Sequence, residues 1–285
     1  MTPTTTSTPP AKDELTGSPG SAFFDTLKSS TNGMLRAGIY RRMYKLSLEQ
    51  GHSDVIDIGV GRGASSIAFA LGILHGGRAD RVHVIDQFTQ VRSGPHLHSE
   101  STHPVGCREA NTEVFLGNVR RYGVEEALRV YPGTTDEVAG HLDADLEADI
   151  LSIDADGNID RDLGYFFDRV SLGGWVIIDD CADMVNRNGQ AALARYAGRD
   201  PEALREDVET MPAAERRQLL GKHLLSHELA GVMERAGALV RKQTAGRTAF
   251  FVKTTGLSFA ALAPDFSAVE TTIRTRFFEE LARQS

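Results

Sequence analysis

The chain has 285 residues, of which 41% are hydrophobic and 25% are charged, and its formal net charge at pH 7 is −8. This composition is typical of a globular protein with a sizeable core. The negative charge argues against extended binding to nucleic acid, which requires a basic face. No stretch approaches the roughly 20 apolar residues of a membrane-spanning helix. We therefore expect a cytoplasmic protein that binds neither nucleic acid nor membranes.

The two ends of the chain differ from its middle in composition. Residues 1–20 are rich in Thr, Pro and Ser and lack the apolar core of a signal peptide, so a disordered tail is predicted there. Residues 21–50 carry apolar side chains at helical intervals, which predicts two helices that serve as a lid or an oligomer contact. An amphipathic C-terminal helix is predicted within residues 257–285, packing on the core or on another subunit.

Short β-branched runs alternate with helical stretches through the middle of the chain. The predicted strands are Val55–Ile58, Val82–Ile85, Arg129–Tyr131, Ile150–Ile153, Val176–Ile178 and Ala249–Val252, with a further candidate near Ala238–Arg241. Such alternation is typical of βαβ units. The predicted fold class is α/β: a Rossmann-like, doubly wound, mostly parallel sheet of about seven strands with helices on both faces.

Two segments interrupt this alternation. Thr89–Val105 contains turn residues and three histidines without periodicity, which predicts a long surface loop. Residues 183–218 form a polar, helix-forming insertion directly after a predicted strand. Because strand ends are where open α/β sheets bind ligands, we expect these two segments to cover the site and to determine the substrate.

A glycine-rich turn follows the first predicted strand. Asp57 is followed by Gly59, Gly61 and Gly63 and then by a helix-forming stretch, and the second predicted strand runs into Asp86. Glycines allow a sharp turn and a close approach of ligand to backbone, and a helix N-terminus supplies open N–H groups. The GxGxG spacing differs from the GxGxxG of dinucleotide-binding proteins. An acid before the first glycine suits an ammonium group, and one ending the second strand suits ribose hydroxyls.

These residues resemble the cofactor motifs of the class I S-adenosylmethionine-dependent methyltransferases. The resemblance implies that Asp57 and the glycines hold the methionine part of the cofactor and that Asp86 holds its ribose. The stretch Tyr131–Asp136 is similar to the segment that contacts adenine in catechol- and caffeoyl-type methyltransferases, with Thr135 in the polar position. A turn followed by a helix cap explains Thr135 equally well. The methyltransferase domain is expected over residues 51–256.

Acidic residues end the fourth and fifth predicted strands. Asp154 follows the fourth strand, and Asp179 and Asp180 follow the fifth. Three carboxylates at one sheet edge repel one another unless a positive charge lies between them. A hard divalent cation with oxygen ligands, most plausibly Mg²⁺, meets that need. Nearby acids are interpreted as solvated loop residues: Asp156, Asp160, Asp162 and Asp183.

The stretch from Ile153 to Asp180 resembles the metal-binding segment of cation-dependent small-molecule O-methyltransferases. It is closest to the macrocin- and novobiocin-type natural-product enzymes. That resemblance assigns Asp154 a contact with the cofactor, a place among the metal ligands and the role of catalytic base. The catechol-type enzymes use a lysine as base, and Gly157 stands at that position here. Two alternatives remain open: that no base is needed, or that a loop histidine serves as the base, the candidates being His96, His98 and His103.

The resemblances predict a methyltransferase that uses S-adenosylmethionine and Mg²⁺ to methylate a hydroxyl of a small molecule. The expected substrate is a specialised metabolite, and the expected assembly is a homo-oligomer. A metal-independent C- or N-methyltransferase with the same fold is the main alternative. A nicotinamide-dependent oxidoreductase is disfavoured by the GxGxG spacing. A non-catalytic partner protein that uses the insertion and the C-terminal helix as an interface is the third alternative.

Overall fold

The computed structural model describes residues 19–49, 53–88, 106–154, 158–181, 198, 200–210, 222–262 and 266–284. The chain divides into two compact units, residues 1–152 and 153–285. Residues 1–18 of the predicted tail, the loop Thr89–Val105 and most of the insertion at 183–218 lie outside the described residues. Within the described residues, none of the helices is long and apolar enough to cross a membrane.

The first unit alternates helices and strands. Its elements are α1 (Ser21–Ser30), α2 (Ala37–Glu49), β1 (Asp54–Ile58), α3 (Ala64–His75), β2 (Val82–Asp86), α4 (Gly106–Tyr122), β3 (Leu128–Pro132), α5 (Thr135–Val138) and β4 (Ala148–Ile153). Ile153, the last residue of β4, belongs to the second unit. β2 pairs in parallel with β1 on one side and with β3 on the other. β1 and β2 are buried along almost their whole length, as expected for parallel strands covered on both faces.

The N-terminal helices are fastened to the helix that follows β1. Gly72 of α3 lies so close to α2 that an added Cβ would collide with Ser47 and with the carbonyl of Tyr44. The turn between α1 and α2 contains Asn32, whose φ of 52° lies in the left-handed region that Asn tolerates. The two predicted helices and the break between them are confirmed. The close packing on α3 indicates that α2 is a fixed part of the first unit.

The second unit combines a three-stranded segment with helices. Its elements are α6 (Ile159–Phe166), β5 (Val170–Ile178), α7 (Pro201–Thr210), α8 (Lys222–Arg235), β6 (Leu239–Ala245), β7 (Thr248–Lys253), α9 (Phe259–Leu262) and α10 (Phe266–Gln284). β7 pairs antiparallel with both β5 and β6. α10 is the expected C-terminal helix, and Arg276 on it forms an ion pair with Glu228 on α8. α7 is the described helix of the insertion.

The seven strands follow the order β3-β2-β1-β4-β5-β7-β6. All six predicted strands are present, and the candidate near Ala238–Arg241 is the start of β6. The α/β, Rossmann-like prediction is therefore confirmed, with a sheet that is mixed because β7 runs antiparallel. β6 is the edge strand, and its mostly exposed, polar side chains explain its weak sequence signal.

Candidate functional site

The turn between β1 and α3 depends on three glycines with positive φ. Gly59, Gly61 and Gly63 have φ values of 79°, 55° and 92°, a region that side chains with a Cβ rarely adopt. Gly63 is the N-cap residue of α3. A Cβ on it would lie 2.9 Å from the ring of Phe115, whereas one on Gly61 would meet nothing within 4 Å. The two glycines are therefore required for different reasons, close packing at Gly63 and backbone conformation at Gly61.

Asp57 fastens β1 to the first turn of α3. Its side chain is buried, and its Oδ2 accepts hydrogen bonds from the Ser65 and Ser66 hydroxyls at 2.8 and 2.7 Å. Ser152 also hydrogen-bonds to it. Burial raises the pKa of the Asp57 carboxyl to about 6, against the opposing effect of these hydroxyls. The sequence signalled an acid at this point but not its serine partners.

Asp86 joins the end of β2 to the glycine turn. Its Oδ2 accepts a hydrogen bond from the Gly61 N–H at 2.8 Å, and its Oδ1 accepts one from the Phe88 N–H at 2.6 Å. The two predicted cofactor elements are therefore brought together. A carboxylate can accept about four hydrogen bonds, which is the capacity that recognition of ribose hydroxyls would use.

Thr135 is the first residue of α5, and the helix cap is its neighbour Thr134. The Thr134 hydroxyl accepts from the Glu137 N–H at 3.3 Å, and Glu137 accepts from the Thr134 N–H at 2.7 Å. This reciprocal pair is a capping box. Thr135 itself is buried. The capping function therefore belongs to Thr134, and Thr135 remains a predicted contact to adenine.

α4 supports the glycine turn through residues that no sequence pattern singled out. The Phe115 ring packs on that of Phe88, with centroids 5.3 Å apart. Asn118 donates a hydrogen bond to the Arg62 carbonyl at 2.9 Å, and Asn111 donates to the Phe88 carbonyl at 2.8 Å. These contacts hold the backbone just after Gly61 and just after Asp86. An amide and a ring on a helix carry no local motif, so only the folded chain identifies them.

The second unit gathers the three strand-end carboxylates. One oxygen from each of Asp154, Asp179 and Asp180 lies within 4.8 Å of the others. Asp179 and Asp180 are buried, and Asp154 is intermediate. The Asp179 N–H donates to the carbonyl of Ile153 at 3.0 Å, which fixes the ends of β4 and β5 side by side. The predicted acidic cluster is therefore present.

A hairpin far along the chain contacts this cluster. Thr248 is the first residue of β7 and lies 69 positions from Asp179 in the sequence. Its hydroxyl donates a hydrogen bond to Asp179 Oδ1. Arg247 lies one residue earlier, and its Nε is 3.1 Å from Asp180 Oδ1. Asp180 has a φ of 54°, in the left-handed region. Neither hairpin residue was predicted, because their sequence separation from the acids leaves no local signal.

Comparison with known proteins assigns the domain. Residues 56–181 match a family model described as a methyltransferase domain. Residues 56–181 therefore form a methyltransferase domain. The match spans the glycine turn, Asp86, Thr135 and the acidic cluster, and it confirms the predicted S-adenosylmethionine-dependent methyltransferase family. No curated protein matches the sequence.

Solved structures of methyltransferases share the fold. A putative caffeoyl-CoA O-methyltransferase from Staphylococcus aureus is 14% identical, with 82% of this chain and 92% of that one covered and a TM-score of 0.51. TomG from Streptomyces achromogenes, an O-methyltransferase involved in tomaymycin synthesis and solved with S-adenosylmethionine, is 17% identical over 82% and 89%, with a TM-score of 0.51. An O-methyltransferase from Bacillus cereus, solved with S-adenosylhomocysteine, is 17% identical over 83% and 92%, also with a TM-score of 0.51.

The donor set of the methyltransferase's acidic cluster fits Mg²⁺. All three groups offer carboxylate oxygens, the ligands that hard divalent cations prefer, and they converge within the reach of one ion. Arg247 already supplies one positive charge at Asp180. Three carboxylates this close together repel one another, and a divalent cation between them would offset that repulsion.

The structure tests some of the remaining sequence interpretations and leaves others outside the described residues. Asp162 is wrong as a solvated loop acid: it lies on α6, is fully buried and forms an ion pair with Arg161 at 2.8 Å. Asp160 is also on α6 and is partly buried. Gly157 and the remaining candidates lie outside the described residues: Asp156, Asp183, His96, His98 and His103.

Proposed function

We propose that this methyltransferase transfers the methyl group of S-adenosylmethionine to a hydroxyl oxygen of a small molecule with the help of Mg²⁺. The observation that carries the proposal is the convergence of Asp154, Asp179 and Asp180 at the ends of β4 and β5. A hydroxyl is a poor nucleophile until its proton is removed, and a bound divalent cation lowers the pKa of a hydroxyl that it contacts. A cation site in a methyltransferase therefore favours oxygen as the acceptor. The O-methyltransferase names of the similar solved structures agree with this proposal.

The cofactor is proposed to bind at the glycine turn of the first unit. The positive-φ glycines bring the backbone close to a ligand, and the N-terminus of α3 offers N–H groups to the cofactor carboxylate. Asp57 would hold the methionine part mainly by fixing the turn, because its Oδ2 already accepts two serine hydroxyls. Asp86 would accept from the ribose hydroxyls, and Thr135 would contact the adenine. Similar structures solved with S-adenosylmethionine and S-adenosylhomocysteine support this assignment.

The remaining catalytic work is positioning and proton removal. The sulfonium group already activates the methyl carbon, so the protein mainly holds the acceptor oxygen in line with it. Mg²⁺ held by the acidic cluster would anchor neighbouring hydroxyls and lower the pKa of one of them. Asp154 is the least buried of the three acids, and we propose that it also contacts the cofactor and accepts the substrate proton.

A metal-independent C- or N-methyltransferase is the second candidate, and one observation favours it. Arg247 pairs with Asp180, so the acidic cluster already has a positive partner within the chain. In that case the acids would bind a substrate cation or hydroxyl directly. The two candidates differ in their response to a chelator, because only the first depends on a bound divalent ion.

Calorimetric titration with S-adenosylhomocysteine tests the cofactor assignment. We expect the parent protein and Asp179→Ala to bind it and Asp57→Ala to bind it at least about tenfold more weakly, because Asp57, unlike Asp179, supports the glycine turn. Glu126→Ala removes an exposed acid from the same unit and is the matched control. Absence of binding by the parent would refute the proposed function. Loss of binding in Asp179→Ala would show that the two sites are not separate.

Methyl transfer to a panel of hydroxylated small molecules tests the acceptor and the metal. We expect turnover to stop in a chelator and to return with Mg²⁺, and Asp179→Ala to remain inactive in both. Turnover that persists in the chelator would favour the metal-independent candidate. A specialised metabolite is the proposed substrate class.

The proposed setting is a homo-oligomer in the cytoplasm. Both parts of this proposal rest on the sequence and on the family resemblance. Sedimentation of the purified protein measures its self-association, and a sedimenting monomer over the working concentration range would contradict the oligomer.

A further inference from the structure

The hairpin between β6 and β7 holds the acidic cluster at three points. The Thr248 hydroxyl donates to Asp179, and the Arg247 guanidinium pairs with Asp180. The carbonyl of Arg247 also accepts from the Cys181 N–H at 2.8 Å, directly after the two acids. Both side chains and one backbone group of the hairpin therefore act on neighbouring residues at the end of β5.

The two side-chain contacts differ in charge and in exposure. Thr248 is neutral and 1% exposed, so it orients Asp179 without changing the charge of the cluster. Arg247 is positive, and its side chain is 46% exposed against 6% for that of Asp180. A half-exposed guanidinium can leave its partner and point into solvent at modest cost, because exposed ion pairs contribute little free energy.

We propose that Arg247 is the internal counter-ion of the acidic cluster and competes with a divalent cation for Asp180, whereas Thr248 positions Asp179 to bind that cation. This inference rests on the proposed function, which places the cation among the three acids. A guanidinium and a divalent ion sharing one carboxylate repel each other. The ion pair must therefore weaken when the cation binds, and the affinity for the cation is lower than the three acids alone would give.

The same ion pair is expected to stabilise the protein when no metal is bound. Asp180 adopts a φ of 54°, which an Asp tolerates at a cost, and it lies beside two other carboxylates. Arg247 offsets part of the repulsion in that state. When Mg²⁺ is present it takes over this role, so the arginine matters most at low Mg²⁺ concentration.

Calorimetric titration of Mg²⁺ into the whole protein separates the two roles. Arg247→Gln should bind Mg²⁺ about fivefold more tightly than the parent, in line with the strength of a half-exposed ion pair. Arg247→Lys keeps the charge and should bind within about twofold of the parent. Thr248→Val should bind about fivefold more weakly, because Asp179 loses its orienting hydrogen bond. Lys242→Gln removes an exposed charge from β6 and is the matched control, with the parent's affinity expected.

Thermal unfolding in a chelator gives a second readout. Arg247→Gln should unfold at a lower temperature than the parent without Mg²⁺, and the difference should disappear when Mg²⁺ saturates both proteins. Equal or weaker Mg²⁺ binding by Arg247→Gln, in a parent that does bind Mg²⁺, would overturn the counter-ion role alone. A parent that binds no Mg²⁺ would instead remove the metal from the proposed function, and this inference with it.

Discussion

The glycine turn and the acidic cluster both concentrate aspartates at strand ends, but their charges are balanced in different ways. Asp57 and Asp86 are held by serine hydroxyls and backbone N–H groups, which are neutral donors within the first unit. In the second unit, a guanidinium holds Asp180. Neutral donors fix the geometry of a carboxylate without offsetting its charge. A guanidinium offsets that charge, and a cationic ligand can take its place.

This difference separates a scaffold from a binding site. Asp57 is buried among groups of its own unit, so its main effect is on the shape of the glycine turn. The acidic cluster combines buried acids with a half-exposed partner, an arrangement that an incoming cation can change. Substitutions at the glycine turn should therefore alter stability and cofactor binding together. Substitutions at the acidic cluster should alter cation binding, and should alter stability mainly when the cation is absent.

Removal of the Asp57 carboxylate is expected to have the largest effect on stability. Asp57→Ala leaves the hydroxyls of Ser65 and Ser66 without their acceptor and creates a small cavity. At about pH 5 we expect a loss of about 3 kcal/mol in the free energy of unfolding, measured by chemical denaturation. S-adenosylhomocysteine binding should weaken in the same variant.

Measuring both stability and S-adenosylhomocysteine binding in Asp57→Ala tests whether Asp57 acts as a scaffold or as a direct ligand. If Asp57→Ala kept its stability but lost S-adenosylhomocysteine binding, Asp57 would be a direct cofactor ligand and the scaffold interpretation would fail. Asp57→Asn is the matched variant, because an amide oxygen can still accept from the serines. It should recover most of the stability.

Substitution of the glycines should separate packing from conformation. Gly63→Ala places a methyl group 2.9 Å from the Phe115 ring and at a φ of 92°, so we expect a loss of about 2–3 kcal/mol. Gly61→Ala meets no atom within 4 Å and should lose about 1 kcal/mol from its backbone conformation. Chemical denaturation of both variants measures this difference. Equal losses would mean that the contact with Phe115 is not a constraint.

The pH dependence of stability reports the buried charge of Asp57. Its pKa is about 6 in the folded protein, against an ordinary value of 3.8, so the folded state binds the proton more tightly. The stabilising contribution is therefore complete below about pH 3.8 and is lost as the pH rises to about 6. The parent should lose about 1–2 kcal/mol relative to Asp57→Asn between about pH 5 and pH 8. A constant difference in denaturation experiments would show that the carboxyl is not shifted.

Much of the fold follows from local sequence patterns. Runs such as Val82–Ile85 and the glycine spacing after Asp57 each predict a strand or a turn without help from distant residues. β6 gave a weak signal because most of its side chains are exposed, so hydrophobicity does not mark it. Asp162 was misread because its burial on α6 depends on packing that a polar sequence stretch does not reveal.

The acidic cluster also contains residues that local sequence patterns predict and residues that they do not. The carboxylates of Asp154, Asp179 and Asp180 were predictable because parallel strands end at one edge of a sheet. Their partners were not, since Thr248 reaches Asp179 across 69 residues of sequence. The pairing depends on where β7 lies beside β5, which only the tertiary structure determines.

Substitution of the two adjacent threonines at the start of α5 is expected to have the smallest effect on stability. It tests which of the two supports the fold and which contacts the cofactor. Thr134→Ala removes the capping box with Glu137 and should lose about 1 kcal/mol of stability, with S-adenosylhomocysteine affinity unchanged. Thr135→Val keeps the volume of a buried residue but removes its hydroxyl. If Thr135 contacts the adenine, only the second variant should bind S-adenosylhomocysteine more weakly. Equal affinities in calorimetry would assign both threonines to the scaffold and leave adenine recognition to other residues.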